Sequence, residues 1–322
     1  MKLIVQPDSG VAPVVTAIKQ AKKSVDVTIF RHDRDEITRA LEAAVARGVA
    51  VRALIAHTHG GSDKVLRKLE LRLLAAGVTV SRTGSDLIRY HAKLMIIDQR
   101  VLHLYGFNFT RLDIEKSRSF GVVTRNRKLV AEAIKLFRAD DVRQTYVPGY
   151  DRFVVSPENA RERLGAFIGR ARRQLLIYDP QVSDDAMLRL LRQRIAAGVE
   201  VKVIGRVEAK WDIPFEKYPG KRLHVRTIVR DGCRAFVGSQ SLRRPELEKR
   251  REVGVIINDK RVVRQIVEVF EGDWAQTSSG RKAAKNAKQS DAKQRQAGKR
   301  GGAKGSGKKN LRETDRTLAV AS

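Results

Sequence analysis

The residues best suited to chemistry come as two matching sets. His91, Lys93 and Asp98 follow the pattern His, one residue, a long cation, four residues, Asp; His224, Arg226 and Asp231 repeat it 133 positions later. A histidine and a cation two apart on an extended strand project from the same face. Two such pairs facing each other across a pseudo-twofold axis suit displacement at phosphorus, with one imidazole as nucleophile and the other as general acid. Lys93 and Arg226 are the groups to stabilise charge on the non-bridging oxygens, a task that needs no metal. Asn108, Ser239 and Ser241 are suitable hydrogen-bond donors to a phosphate, and Glu252 is the first choice for a carboxylate that orients a ring nitrogen. For Asp98 and Asp231 a turn-stabilising role competes with a catalytic one, because both stand where a strand runs into a turn.

The elements that must position these residues are themselves repeated. The 133-residue register continues without a gap to Asn108 opposite Ser241 and Ser119 opposite Glu252. Upstream, Ala21 to Ile55 overlays Ala171 to Gly205 at an offset of 150, with Gly48 on Gly198. The difference of 17 residues is room for one extra helix in the first half. The chain therefore reads as a duplicated α/β unit, residues 1–147 and 148–276, joined at Tyr146-Val-Pro-Gly-Tyr150 and followed by a tail over 277–322.

Within the first half, β-branched runs at 3–5, 25–30 and 49–55 predict strands, and helices are expected near 11–22 and from Asp33 to Gly48. Asp33 and Glu36 are placed as N-cap and capping-box partner of the second helix. The extra helix falls at about 63–76. A short strand at 78–80, a strand cluster at 92–97, 101–105 and 119–123, and a helix at 128–137 close the half. The second half opens with a strand at 153–155, with Ser156 as N-cap and Pro157 at the first helical position. Strand 175–178, helix 186–197, strands 199–204, 223–229, 234–237 and 252–257, and helix 262–274 repeat the order. Where the first half has its extra helix, the second has the loop Trp211 to Arg222, rich in proline and aromatics, which is placed to shape substrate access.

Composition narrows the class. With 322 residues and 42% hydrophobic content the chain can bury two modest cores or one large one. No run approaches the roughly 18–20 apolar residues that span a bilayer, and the start breaks at Pro7 before a signal core forms. A cytoplasmic location is expected, with peripheral attachment to a membrane or nucleoid. Cys233, the single cysteine, excludes an internal disulfide and a cysteine-based metal site and reads as a small buried strand residue. His57 and His59 form a His-x-His pair, but with no third ligand nearby they read as a loop leading into the extra helix. No metal or other cofactor is expected. The formal charge is +29, of which the tail contributes +10 through 13 Lys and Arg against 3 Asp and Glu. A body of +19 followed by a disordered basic tail points to a polyanionic partner, anionic phospholipid or nucleic acid.

The paired His-x-Lys/Arg-x4-Asp segments, the Gly-Ser-x-Asn/Ser element and the trailing Glu252 resemble the phospholipase D superfamily over about 270 residues. The resemblance implies a duplicated α/β/α sandwich, a phosphohistidine intermediate and metal-independent hydrolysis or transfer of phosphodiesters. It makes His91 the nucleophile and His224 the general acid, with the site between the repeats, so that a monomer suffices. Three positions depart from the pattern: Arg226 replaces the usual lysine, Tyr105 replaces a glycine, and Ser119 stands where the second half has Glu252. Headgroup chemistry on phospholipids is the leading expectation. A nuclease of the same superfamily and a polyanion-binding paralogue without turnover are the alternatives.

Overall fold

The computed structural model describes residues 1–57, 62–220, 222–287 and 289. Residues Met1–Thr277 form one compact unit. In chain order it comprises β1 (Lys2–Gln6), α1 (Ala12–Gln20), β2 (Ser24–Ile29), α2 (Asp35–Ala46), β3 (Ala50–Ile55), α3 (Ser62–Ala75), β4 (Thr79–Arg82) and β5 (Arg89–Tyr90). Then come β6 (Leu94–Ile97), β7 (Val101–Tyr105), α4 (Arg111–Lys116), β8 (Ser119–Thr124) and α5 (Arg127–Asp141). The second half runs β9 (Phe153–Ser156), α6 (Ala160–Gly169), β10 (Gln174–Val182), α7 (Asp185–Ala196), β11 (Glu200–Val207) and β12 (Arg226–Arg230). It ends with β13 (Arg234–Gly238), α8 (Arg244–Glu248), β14 (Arg250–Ile257) and α9 (Lys260–Ala275).

These strands build two seven-stranded sheets with one topology. The first is ordered β1-β8-β7-β6-β2-β3-β4; the second is β11-β10-β12-β13-β14-β5, with β9 also on β14. Matching β3-β2-β6-β7-β8-β1 to β11-β10-β12-β13-β14-β9 pairs each strand with its sequence repeat. In both halves the two βαβ strands are parallel and the rest of the shared order is antiparallel. The strands that have no repeat are informative. β4 follows the extra helix α3, whereas β5 leaves the first half and pairs in parallel with β14 of the second.

Strands such as Leu94-Met-Ile-Ile97 are apolar on both faces because both faces are covered. One face meets helices of its own half, as in the core of Val14, Ile18, Leu41 and Met95. The other joins a core common to both halves, in which Leu104, Phe120 and Phe137 share one cluster with Phe153, Val255 and Phe270. That common core presses the two sheets together.

Several local expectations are overturned. The N-cap of α2 is Arg34, with no side-chain cap; Asp33 instead accepts the Arg111 backbone N–H at 2.7 Å, and Glu36 pairs with Arg34. Ser156 ends β9 rather than starting a helix, and α6 begins three residues after Pro157 with Asn159 at its N-cap. Cys233 is exposed, in the tight turn between β12 and β13. The tail, expected to be disordered from 277, is helical over residues 278–287. His59 of the His-x-His pair lies outside the described residues, as does nearly all of the remaining tail.

Candidate active site

Each histidine is seated by the other half of the chain. The His91 backbone N–H donates to the Arg251 carbonyl of β14 at 2.8 Å, and the His224 N–H donates to the Arg118 carbonyl just before β8 at 3.0 Å. Arg118 and Arg251 are themselves 133 residues apart, so the exchange is symmetric. β5 explains why the first crossing is firm: its two residues are hydrogen-bonded to β14 immediately before His91 leaves the strand.

The cations repeat the symmetry. Lys93 Nζ donates to the carbonyl of His91 at 2.8 Å, and Arg226 Nη1 donates to the carbonyl of His224 at 2.9 Å. Arg226 thus makes the same contact as its counterpart Lys93, and a second from Nε to the Ser241 hydroxyl at 3.3 Å. Both cations are largely shielded from water, and burial pushes the Lys93 ammonium down to about 7, with Arg226 adding repulsion.

The carboxylates break the symmetry. Glu252, fully buried at 0% exposure, sits with its two oxygens 2.9 and 2.8 Å from His91 Nδ1. A carboxylate in this place accepts the Nδ1 proton and leaves Nε2 with its lone pair free to attack. Burial raises Glu252 to about 7, opposed by the neighbouring Lys93. On the other side Ser119 takes no such role, since its hydroxyl donates to the His224 carbonyl at 3.4 Å. The carboxylate facing His224 is Asp113 of α4, with Oδ2 3.4 Å from Nδ1. Asp113 is held by the Asn108 N–H and side-chain amide at 2.8 and 2.6 Å and by the Arg222 guanidinium. The sequence reading missed it, although the 133-residue register sets Asp113 opposite Glu246, another buried acid.

Burial, and then the surrounding cations, lower both imidazoles well below the usual histidine range. Both are therefore neutral at neutral pH, which suits a nucleophile at once. An anion placed between Lys93 and Arg226 would offset the cations and raise the proton affinity of His224.

The other expected residues divide. Ser241, Ser239 and Asn108 lie at the cluster, although Asn108 directs its amide to Asp113 and Ser239 exchanges hydrogen bonds with Val253 of β14. Beside them is Asp179 of β10, buried and raised to about 6 by that burial, which accepts the Leu242 and Gln181 backbone N–H groups. Asp98 and Asp231 are elsewhere. Each stands beyond the far end of its strand, roughly 16 Å of extended chain from Lys93 or Arg226. Asp98 accepts the N–H groups of Lys22, Lys23 and Ser24, and Asp231 those of Arg172, Arg173 and Gln174. A carboxylate that holds three amides at a turn is a structural anchor, so the catalytic reading of this pair is withdrawn. Tyr105 is buried among Phe107 and Phe109, and Gly106 supplies the close approach: a Cβ there would lie 2.9 Å from the Phe120 carbonyl. Among the described residues no group of three or more His, Cys, Asp or Glu is arranged to hold a metal.

Two pseudo-symmetric halves with a histidine, a cation and a carboxylate from each define a class of phosphodiester-handling scaffold. The chain belongs to the phospholipase D-like family: residues 14–140 and 206–274 match the family described as cardiolipin synthase, phospholipase D-like domain. It is 21% identical over 338 aligned positions to cardiolipin synthase 1 of Bacillus cereus, covering 85% of this chain and 66% of that protein. It is 27% identical over 129 positions to the mitochondrial cardiolipin hydrolase of Danio rerio, covering 38% and 54%. The fold matches polyphosphate kinase of Porphyromonas gingivalis with a TM-score of 0.71 at 20% identity, over 84% of this chain and 46% of that one. It matches phosphatidylserine synthase of Haemophilus influenzae with a TM-score of 0.62 at 12% identity, over 85% of each. This chain thus spans about two thirds of the bacterial relative and under half of the kinase.

Proposed function

We propose that the chain is a phosphodiesterase that hydrolyses or transfers phospholipid headgroups through a phosphohistidine on His91. The observation that carries this is the unequal pairing of the two imidazoles. His91 Nδ1 is gripped by both oxygens of Glu252, whereas His224 Nδ1 faces Asp113 at the longer 3.4 Å. The better-oriented ring attacks phosphorus through Nε2; the other gives a proton to the departing oxygen and then takes one from the water or alcohol that releases the product. Lys93 and Arg226 bind the non-bridging oxygens, where negative charge is held throughout the displacement, while the Asn108 amide holds Asp113. Arg226 makes to the His224 carbonyl the contact that Lys93 makes to the His91 carbonyl, and Asp113 faces His224 on the side where Ser119 offers no carboxylate.

Three observations favour lipid over nucleic acid. The curated relatives above are named for work on cardiolipin. Ile88, three residues from His91, is 64% exposed, and Leu112, beside Asp113, is 49% exposed. Apolar side chains at the rim of a cationic site suit a headgroup presented by a bilayer. Among the described residues no helix is long and apolar enough to cross a membrane, so contact through this rim and the basic body is the proposed mode. The test is product formation, with chelator present, from anionic vesicles and from labelled DNA and RNA, using wild type, His91→Ala and His224→Ala. Turnover of lipid that both substitutions abolish supports the proposal. Turnover confined to nucleic acid replaces it with the nuclease reading, and tight binding without any turnover replaces it with the polyanion-binding one.

A further inference from the structure

The two halves also differ away from the histidines. Between α1 and the β1 edge of the first sheet lies a cleft of about 860 Å³, within the range of roughly 300–1,000 Å³ that small-molecule sites occupy. Its apolar surface is formed by Ile4, Ala17, Ile97, Val101 and Val123. Asp98 is in the lining, which places the cleft beyond the end of β6 that is far from Lys93.

The second half is a control for this space. With the 150-residue register carried back over α1, Ala17 stands opposite Phe167 of α6, and in the 133-residue register Ile97 stands opposite Arg230 of β12. The strand pairing agrees, since Ile4 faces Gly121 where Val154 faces Gly254. Phe167 is 4% exposed, the Arg230 guanidinium carbon lies 4.7 Å from the centre of its ring, and Arg230 Nη1 donates to its carbonyl at 3.1 Å. An alanine and an isoleucine thus leave open in the first half what an aromatic ring and an arginine cover in the second.

The cleft also carries polar groups that packing does not use. His103, 6% exposed, is in the lining, and its Nδ1 is buried without a hydrogen-bond partner among the described residues. Burial, and then the charge of Lys2, push this imidazole down to about 4, so it is neutral. Its equivalent in the repeat is the buried Phe236, so the strand does not require an imidazole at this place. Lys2 and Arg125 stand exposed at the rim, and neither has a carboxylate within ion-pair distance among the described residues. Apolar walls with unpaired cations at the rim match an apolar chain that ends in an anion. We infer that this cleft binds a single-chain amphiphile with an anionic head, its chain on Ala17, Ile97 and Val101 and its head at Lys2 and Arg125. The inference stands apart from the proposed reaction and does not rest on it.

The site is tested by calorimetry on the full chain with three probes below any micellar concentration: dodecanoate, dodecyltrimethylammonium and acetate. Dodecanoate should saturate one site and bind about tenfold or more tightly than the cation of the same chain length, the worth of one charge-assisted hydrogen bond. Acetate, a head without a chain, should show no measurable binding. Ala17→Phe, which imports the side chain of the second half, should weaken dodecanoate by about tenfold or more. Lys2→Gln with Arg125→Gln, at exposed positions, should bring dodecanoate and the cation within about twofold of each other, and it reads the site even where Ala17→Phe folds poorly. In NMR spectra of the imidazole protons, the His103 signals should move with dodecanoate while those of His91 and His224 stay. Equal binding of the two amphiphiles by wild type, or a preference that survives the double variant, would overturn the site. So would a folded Ala17→Phe that binds as wild type does, or shifts at His91 and His224 in place of His103. A response to vesicles of phosphatidylcholine and phosphatidylglycerol, with none to monomeric dodecanoate, would overturn the single-chain assignment.

Discussion

In the proposed reaction, single carboxylates set the division of labour between the two histidines. Glu252→Gln keeps the shape but cannot hold a proton-bearing Nδ1 in the same way, and steady-state rates on lipid vesicles should fall by about 10²- to 10⁴-fold. Asp113→Asn acts on the acid instead. It should slow alkyl phosphodiesters strongly and p-nitrophenyl phosphodiesters little, because nitrophenolate departs without a proton; equal losses on both would remove Asp113 from this role. Glu252 also leaves a mark on stability. Its folded pKa is raised from 4.5 to about 7, so between those values the folded protein holds a proton that the unfolded chain has released. The contribution of this one group should therefore fall as pH rises through that window, against the rise contributed by the buried imidazoles, and the difference between wild type and Glu252→Gln in denaturant titrations should carry that slope. Glu252 was legible in the sequence because it trails its motif at a fixed distance. Asp113 was hidden because Ser119 occupies the register position of Glu252, and the acid that compensates comes from a different element.

At the scale of elements, the long periodic segments were read closely and the short ones were not. Strands such as β7 and helices such as α5 announce themselves by apolar period. α4 and α8, of six and five residues, and β5, of two, are too short to carry a period, and tertiary pairing decides them. Yet α4 supplies Asp113 and β5 seats His91. The loop from Trp211 was read as a shaper of access; it returns to β11, where Glu216 bridges Ile204, with Phe215 exposed. The aspartates of the two motifs also belong here, since each ties the start of β2 or β10 to the turn that follows β6 or β12. Asp98→Ala and Asp231→Ala should each cost about 1–3 kcal/mol by leaving backbone amides without their acceptor. Specific activity of the folded fraction should hold, as urea unfolding combined with active-site titration can check; loss of activity without loss of stability would return these residues to the chemistry.

At the scale of the whole molecule, residues Met1–Thr277 form one compact unit in which the candidate site and the main core are both assembled across the halves. Phe120 and Phe137 share a cluster with Phe153 and Phe270, and Arg251 of the second half pairs with Asp140 of the first at 3.1 Å. Calorimetry on residues 1–277 should therefore show a single cooperative transition; two separable transitions would mean that each repeat is stable alone. The repeat itself was plain in the sequence. How the halves exchange β5 and the Arg118 segment was not, because backbone pairing across a pseudo-twofold axis leaves no side-chain pattern. A covalent bond to one particular histidine of this assembled site is detected by rapid acid-free quenching during turnover and mass spectrometry of the protein. A phosphatidyl or phosphoryl adduct on His91 is expected, absent in His91→Ala; in His224→Ala it should form and accumulate only from p-nitrophenyl phosphodiesters, whose leaving group needs no proton. An adduct on His224, or turnover that survives His91→Ala, would contradict it.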